Sequence, residues 1–214
     1  VALREAGITA PILLLGHTTR SGVDLVLAND ITPTVVDRET ARALSARADR
    51  PIRIHVKIDT GMSRYGLALE KTMGFMYYLS SLPNLIVEGI FSHFATADAA
   101  DLTHARGQWR RFTRMIEALE DEGFYVPMPH VCNSAGLVNL PEAHLAAVRP
   151  GLLIYGMAPT PTSVPPFPLH RALTLKSTVI HVRRLSPGSA ISYGRTYITQ
   201  EPMVAALVSL GYGD

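Results

Sequence analysis

The segment 52–59, IRIHVKID, ends with two side chains that could take part in catalysis or binding, Lys57 and Asp59. Apolar residues alternate there with polar ones, and this period of two is typical of a β-strand. In a (β/α) barrel the apolar set would face the surrounding helices, so Lys57 and Asp59 would lie in or over the barrel mouth, with Arg64 on the following loop. Active sites of such barrels lie where strands end and loops begin. The pattern alone also fits a solvated edge strand with a scattered charged face.

Three further candidate groups follow later in the chain. His93 ends a strand-like segment in SHFATAD (92–98), where a neutral imidazole can stack on a flat ligand or act as an acid or base. Ser134 in CNSAG (132–136) could hold an anion together with the backbone N–H groups that follow it. Arg149 stands near Gly151, which lets the backbone approach a ligand. Small residues at the ends of the last two strands are where barrels commonly bind phosphate.

Alternating strand-like and helix-like segments would position these groups. The strand-like segments are 11–16, 24–28, 52–58, 86–91, 130–132 and 146–155. The helix-like segments are 37–49, 68–81 and 103–121, the last with apolar residues at helical spacing among charged ones. Such alternation predicts a parallel sheet or a (β/α) barrel. Because six strands are fewer than eight, the sequence predicts an α/β fold with an incomplete (β/α)8 TIM-type barrel.

The character of the sequence changes after the barrel segment. Residues 158–168 contain five prolines, which exclude a helix and favour an extended linker. Beyond them, 175–185 and 203–210 are strand-like, with Pro187-Gly188 as a turn between them. We therefore expect a partial barrel over 1–157, a proline-rich linker over 158–168, and the beginning of a β-rich C-terminal domain over 169–214.

Composition excludes several classes of protein. The 214 residues are 47% apolar and 18% charged with a formal net charge of +2, which is typical of a globular chain and gives no indication of nucleic-acid binding. No apolar segment approaches the roughly 18 residues that span a bilayer, and we expect no membrane partner. The single cysteine, Cys132, fits a reducing cytosol, so we expect a cytoplasmic protein. The chain begins without methionine and ends in GYGD within an apolar segment, and we interpret it as an internal fragment.

Five motifs together carry a family resemblance. With VKIDTGMSRYG (56–66), SHFATAD, CNSAG, RPGLLIYG (149–156) and ISYGRTY (191–197) in this order, the chain resembles the bacterial alanine racemases over essentially its whole length. The resemblance implies an N-terminal (β/α)8 barrel, a C-terminal β domain and pyridoxal 5'-phosphate as cofactor. It also implies interconversion of L-alanine and D-alanine for peptidoglycan, without a metal, by a homodimer that shares active sites across its interface.

The resemblance assigns cofactor contacts to individual residues. Arg149 resembles the arginine that hydrogen-bonds the pyridine nitrogen, and His93 resembles the histidine beside that ring. An arginine stays protonated, so it leaves the ring nitrogen uncharged and limits side reactions. The positions that resemble the phosphate-binding shell are Ser134, Gly151 and Leu152, with Asn133 next to them.

The resemblance also assigns groups that act on the substrate. Tyr193 resembles the catalytic tyrosine, which works with a Schiff-base lysine on opposite faces of the Cα–H bond and acts on the partner's cofactor. A phenol with a pKa of about 10 needs nearby positive charge, which Arg64 could supply. Lys57 resembles a lysine that is often carbamylated, and Tyr212 resembles a tyrosine of the substrate channel.

Some expectations limit this assignment. None of Lys57, Lys71 and Lys176 fits the context of the cofactor-binding lysine, so we expect residues 1–214 alone to be inactive. His93 and Tyr193 could be ordinary buried polar residues, and Arg149 could pair with an acidic neighbour. The alternatives for function are a racemase of other or broader specificity, such as serine, and a non-catalytic barrel that binds the cofactor. The strand-like segments after the linker, together with Tyr193, argue against the last.

Overall fold

A parallel β-sheet organises the first 170 residues in this computed structural model, which describes residues 1–161, 163 and 165–212. In chain order the strands are β1 (Ile12–His17), β2 (Ile31–Val35), β3 (Ile52–Asp59), β4 (Leu67–Ala68), β5 (Leu85–Phe91) and β6 (Met128–His130). The sheet order is β1-β2-β3-β5-β6, all parallel, and the short β4 pairs with the end of β3. Consecutive parallel strands are the arrangement expected of successive βα units.

Helices cover this sheet and bury a continuous apolar core. They are α1 (Ala2–Glu5), α2 (Val23–Ala28), α3 (Arg38–Arg47), α4 (Leu69–Ser80), α5 (Thr103–Asp121) and α6 (Ser134–Asn139). Short 3-10 helices span Arg20–Gly22, Pro141–Ala143 and Leu152–Tyr155. The apolar set of β3 packs in this core with Phe112, Ile116 and Leu119 of α5, as its helical spacing predicts. Because β3 lies between β2 and β5, the alternative of a solvated edge strand is wrong.

Three local predictions differ from the structure. Residues 24–28 form part of α2 and not a strand, since Val23 and Val26 bury one helical face and an apolar run this short does not distinguish the two forms. The strand β2 was not predicted because Pro33 interrupts ITPTV, yet Thr34 is buried there with its hydroxyl donating to the carbonyl of Leu14 at 2.7 Å. The predicted strand 146–155 is wrong: Ala147 makes one isolated bridge, and Pro150 and Gly151 precede a 3-10 turn.

Residues Arg171–Asp214 form a second compact unit. β7 (Val179–Leu185) pairs antiparallel with β10 (Met203–Val208), and β8 (Ala190–Ile191) pairs with β9 (Tyr197–Ile198). The predicted turn at Pro187-Gly188 therefore leads into β8, with Gly188 at φ +78°, before the chain reaches the second long strand. A 3-10 helix, Tyr193–Arg195, separates β8 from β9.

Four residues lie outside the described part of the chain. Thr162 and Val164 belong to the predicted linker, and Gly213 and Asp214 to the predicted C-terminal domain. The first unit extends over Val1–His170, and the domain boundaries given above remain a prediction. Within the described residues, no helix combines the length and apolarity needed to cross a membrane.

Candidate active site

A cavity of about 370 Å³ opens at the carboxyl ends of the strands of the first unit. The six residues predicted to hold a cofactor all line it: His93, Asn133, Ser134, Arg149, Gly151 and Leu152. The remaining lining residues had no individual role predicted from the sequence, although all but the last lie in the motifs quoted above: Met62, Phe94, Ala95, Asp98, Ala135 and Pro159. The strand ends that are separated in sequence therefore converge on one space, as barrel geometry requires.

Arg149 lines this cavity and is held by several hydrogen bonds. Its Nη2 donates to the carbonyl of Ser92 at 2.7 Å, to that of Val131 at 3.3 Å and to Nδ1 of His93 at 3.3 Å, while Nη1 donates to Nδ1 of His130. Burial lowers the pKa of Arg149 to about 10, so the guanidinium stays protonated at neutral pH. No ion pair found among the described residues includes it, so pairing with an acidic neighbour is not observed.

His93 is held as a neutral ring beside this arginine. Burial, followed by the charges of Arg149, Arg64 and Lys57, lowers its pKa to about 4. Because an arginine can only donate, Nδ1 of His93 accepts and its proton is on Nε2. A neutral, half-buried imidazole at the cavity wall can stack on a flat ligand without adding charge.

Gln108 fixes the loop that carries His93. It is fully buried on α5, where its Nε2 donates to the carbonyl of His93 at 3.0 Å and its Oε1 accepts from the backbone N–H of Ala95 at 2.9 Å. No motif in the sequence points to Gln108. The available signal was a polar side chain at helical spacing on the apolar face of α5.

Asn133, Ser134 and Gly151 also line the cavity. Asn133 caps α6, because its side-chain oxygen accepts from the N–H of Gly136 at 2.9 Å. The hydroxyl of Ser134 accepts from the N–H of Leu153 at 3.4 Å. At Gly151 a Cβ would meet no atom within 4 Å, so the space next to this backbone is open to a ligand. These groups offer hydroxyl and N–H donors of the kind that hold a phosphate.

Lys57 lies buried beside the cavity. Its side chain is 5% exposed, and Nζ donates to the carbonyl of Tyr65 and lies 5.3 Å from the centre of that residue's ring. Burial lowers its pKa, and the charge of Arg64 acts in the same direction. Arg64 itself is exposed and is not among the lining residues, although its charge reaches both Lys57 and His93.

Tyr193 and Tyr212 belong to the second unit. Tyr193 begins a 3-10 helix after Ser192, whose φ of +59° turns the chain, and its side chain is 90% exposed. It is therefore not the ordinary buried polar residue that the sequence also allowed. Tyr212 is fully exposed. In the described part of the chain, no group of three or more His, Cys, Asp or Glu side chains is placed to hold a metal.

The chain is similar in sequence to known proteins. The family model described as "Alanine racemase, N-terminal domain" matches residues 1–159, and "Alanine racemase, C-terminal domain" matches residues 172–214. Among curated relatives, an alanine racemase of Desulfovibrio desulfuricans is 41% identical over 216 residues, covering 100% of this chain and 58% of the relative, and one of Clostridium tetani is 37% identical, covering 100% and 57%. The chain thus spans little more than half the length of these relatives.

Solved structures show the same likeness. An alanine racemase of Clostridium difficile 630 aligns with a TM-score of 0.84 at 36% identity, over 100% of this chain and 57% of that one. A structure described as alanine racemase from Bacillus anthracis with bound L-Ala-P aligns with a TM-score of 0.81 at 33% identity, over 100% of this chain and 56% of that one. These likenesses confirm the predicted fold class, an incomplete (β/α)8 barrel followed by the start of a β-rich domain.

Proposed function

This chain belongs to the alanine racemase family, and on that premise we propose that the protein interconverts L-alanine and D-alanine with pyridoxal 5'-phosphate. The observation that carries the proposal is the convergence of a protonated Arg149 and a neutral His93 on one cavity with Ser134 and Gly151. We further propose a cytoplasmic enzyme that supplies D-alanine for peptidoglycan.

The cavity residues fit this cofactor. Arg149 has no carboxylate partner among the described ion pairs and can donate to a pyridine nitrogen, while His93 can lie against the ring. Ser134, Gly151 and Leu152 offer a hydroxyl, open space and backbone N–H groups for a phosphate, and Asn133 stabilises the start of the helix that carries Ser134. When bound, the cofactor supplies an electron sink next to the Cα of the amino acid. Arg149 keeps its own proton and so restrains that sink, which favours proton exchange at Cα over other reactions.

Interconversion of L-alanine and D-alanine by two bases requires a proton-transferring group on each face of the substrate at Cα. We assign one face to Tyr193, whose hydroxyl is exposed and which would act in a homodimer on the partner subunit's site. Arg64 would place positive charge next to this phenol and bind the substrate carboxylate, and Tyr212 would line the substrate channel. The other face needs a lysine in a sequence context that Lys57, Lys71 and Lys176 do not have.

Lys57 is proposed to act as a carbamate. A buried amine with a lowered pKa is more readily neutral and nucleophilic, so it can take up carbon dioxide. The resulting carboxylate would attract Arg64, whereas a bare ammonium would repel it.

Substitution of Tyr193 in the full-length protein tests the proposal. We expect Tyr193→Phe to lower the rate of D-alanine formation by roughly 10²- to 10⁴-fold, as loss of a general acid or base does. Tyr197→Phe, in the same unit and half-exposed, is the matched control and should retain the wild-type rate. An unchanged rate in Tyr193→Phe contradicts the two-base assignment. Parallel measurement with serine distinguishes alanine preference from broader specificity.

A further inference from the structure

Buried polar side chains continue from Arg149 into the interior of the sheet. Nη1 of Arg149 contacts Nδ1 of His130, and Nε2 of His130 lies 2.9 Å from Nδ1 of His55. Nε2 of His55 then lies 3.4 Å from Oε2 of Glu88, whose other oxygen is 3.3 Å from Nε of Arg53. In the sequence, His55 stands on the polar face of the segment 52–59, and no motif points to His130 or Glu88.

Both histidines are enclosed and fixed in position. His55 is 2% exposed and His130 is 1% exposed. The ring of His130 stacks on that of Phe91 at 4.9 Å between centroids and an interplanar angle of 6°. Gly89 makes room for His55, because a Cβ at position 89 would lie 2.4 Å from its ring. A buried polar pair held this closely must satisfy its hydrogen bonds internally.

The donor and acceptor of each of these hydrogen bonds follow from Arg149. A guanidinium only donates, so Nδ1 of His130 must accept and its proton must be on Nε2. That N–H donates to Nδ1 of His55, which leaves the His55 proton on Nε2, directed at the Glu88 carboxylate. Both rings are neutral, since burial and the charge of Arg149 lower the pKa of His130 to about 3 and burial lowers that of His55.

We propose that Glu88, His55 and His130 form a one-directional hydrogen-bond relay that positions the guanidinium of Arg149 and couples it to the negative charge of Glu88. Glu88 and His55 are each the fourth residue of their strands, β5 and β3, so the relay runs from the middle of the sheet to the cavity at the carboxyl ends. The three are positioning residues, and the role of Arg149 toward the pyridine ring rests on the proposed function. Hydrogen bonds in series polarise one another, so a change at one residue of the relay alters the strength of the next hydrogen bond.

Nitrogen NMR of the histidine rings tests the direction of the relay. We would record ¹⁵N spectra of the full-length protein labelled at histidine and assign the two signals by their loss in His55→Gln and His130→Gln. The proposal expects both rings neutral at pH 7, with Nε2 protonated and Nδ1 bare. A protonated Nδ1 on either ring overturns it. This result does not depend on whether the protein binds a cofactor.

A double-mutant cycle tests the coupling to Arg149. We expect Glu88→Gln to weaken the equilibrium binding of pyridoxal 5'-phosphate roughly 3- to 10-fold, which lies within the coupling energies found for residues of one network. In protein that already carries His130→Gln, adding Glu88→Gln should not weaken binding further. If His130→Gln does not fold, His55→Gln takes its place as the background. Glu70→Gln, on the exposed surface of α4, is the control and should leave binding unchanged.

The outcomes separate the relay from the proposed function. Equal binding by Glu88→Gln and Glu70→Gln, or additive effects of Glu88→Gln and His130→Gln, overturns the relay. If the wild-type protein binds no pyridoxal 5'-phosphate, the proposed function fails, and the ring tautomers still decide whether the relay exists.

Discussion

A methyl group at Gly89 should disrupt the sheet directly beneath the cavity. Gly89 pairs with His55 of β3 on one side and with Met128 of β6 on the other. A Cβ there would lie 2.4 and 2.5 Å from two ring atoms of His55 and 2.7 Å from the carbonyl oxygen of Met128. The Met128 oxygen belongs to the backbone and cannot rotate away, so Gly89→Ala must displace a strand or the buried ring.

The cost of this displacement has two parts. Overpacking a close-packed interior costs about 1–3 kcal/mol. Moving His55 away from His130 leaves buried polar groups unpaired, which costs about 1–3 kcal/mol more. Because alanine has less conformational entropy than glycine in the unfolded chain, the substitution also stabilises the folded protein by about 0.4–1 kcal/mol. The free energy of unfolding should therefore fall by about 1–5.6 kcal/mol in Gly89→Ala.

Gly74→Ala is the matched control. Gly74 is exposed in the middle of α4, and a Cβ there meets no atom within 4 Å. Alanine in a helix interior should stabilise the protein by about 0.5–1 kcal/mol. Urea unfolding followed by circular dichroism should move the two midpoints in opposite directions from wild type. A Gly89→Ala midpoint at or above the wild-type value would refute the reasoning.

Three other predictions use the same unfolding assay. Asp37→Ala should cost about 1 kcal/mol, because the Asp37 carboxylate caps α3 by accepting from the N–H of Thr40 at 2.7 Å; an unchanged midpoint contradicts the cap. Gly66→Ala should cost about 1–3 kcal/mol, because Gly66 has φ +136° and its Cβ would lie 3.0 Å from a backbone nitrogen; wild-type stability would show that the loop relaxes freely. Burial holds the pKa of His130 at about 3 and that of His93 at about 4, so the unfolded chain, with a pKa of about 6.5, binds protons first. Stability should therefore be intact above pH 6.5 and fall by up to about 1.4 kcal/mol per pH unit per histidine below it, and equal midpoints at pH 7 and pH 5 contradict this.

Long periodic segments could be predicted from the sequence, and so could the strands near 11–16, 52–58 and 86–91, but two other short apolar segments could not. The helix predicted at 103–121 forms at Thr103–Asp121, because its apolar residues recur over five turns. DLVLA and ITPTV were misjudged because their conformation depends on tertiary packing. The first buries two valines as a helix, and the second forms a strand despite Pro33.

The candidate site could be predicted as a set of strand ends, but its supporting contacts could not. Barrel topology alone brings Arg149, His93 and Ser134 together. The partners of Arg149 are carbonyls and imidazoles at the ends of two strands, β5 and β6, and no spacing in the sequence encodes those distances. Gln108 was overlooked because its role exists only once α5 lies against the loop after β5.

The order of the strands in the sheet has a consequence for synthesis on the ribosome. Each strand of the main path pairs with the one before it, as in Ile12 with Ile31 and Gly89 with Met128, so every pairing closes a loop of modest length. The sheet can therefore grow one strand at a time as the chain emerges, amino-terminal end first. The cavity needs residues from Met62 to Pro159, so a ligand finds its walls only after nearly the whole first unit has been translated.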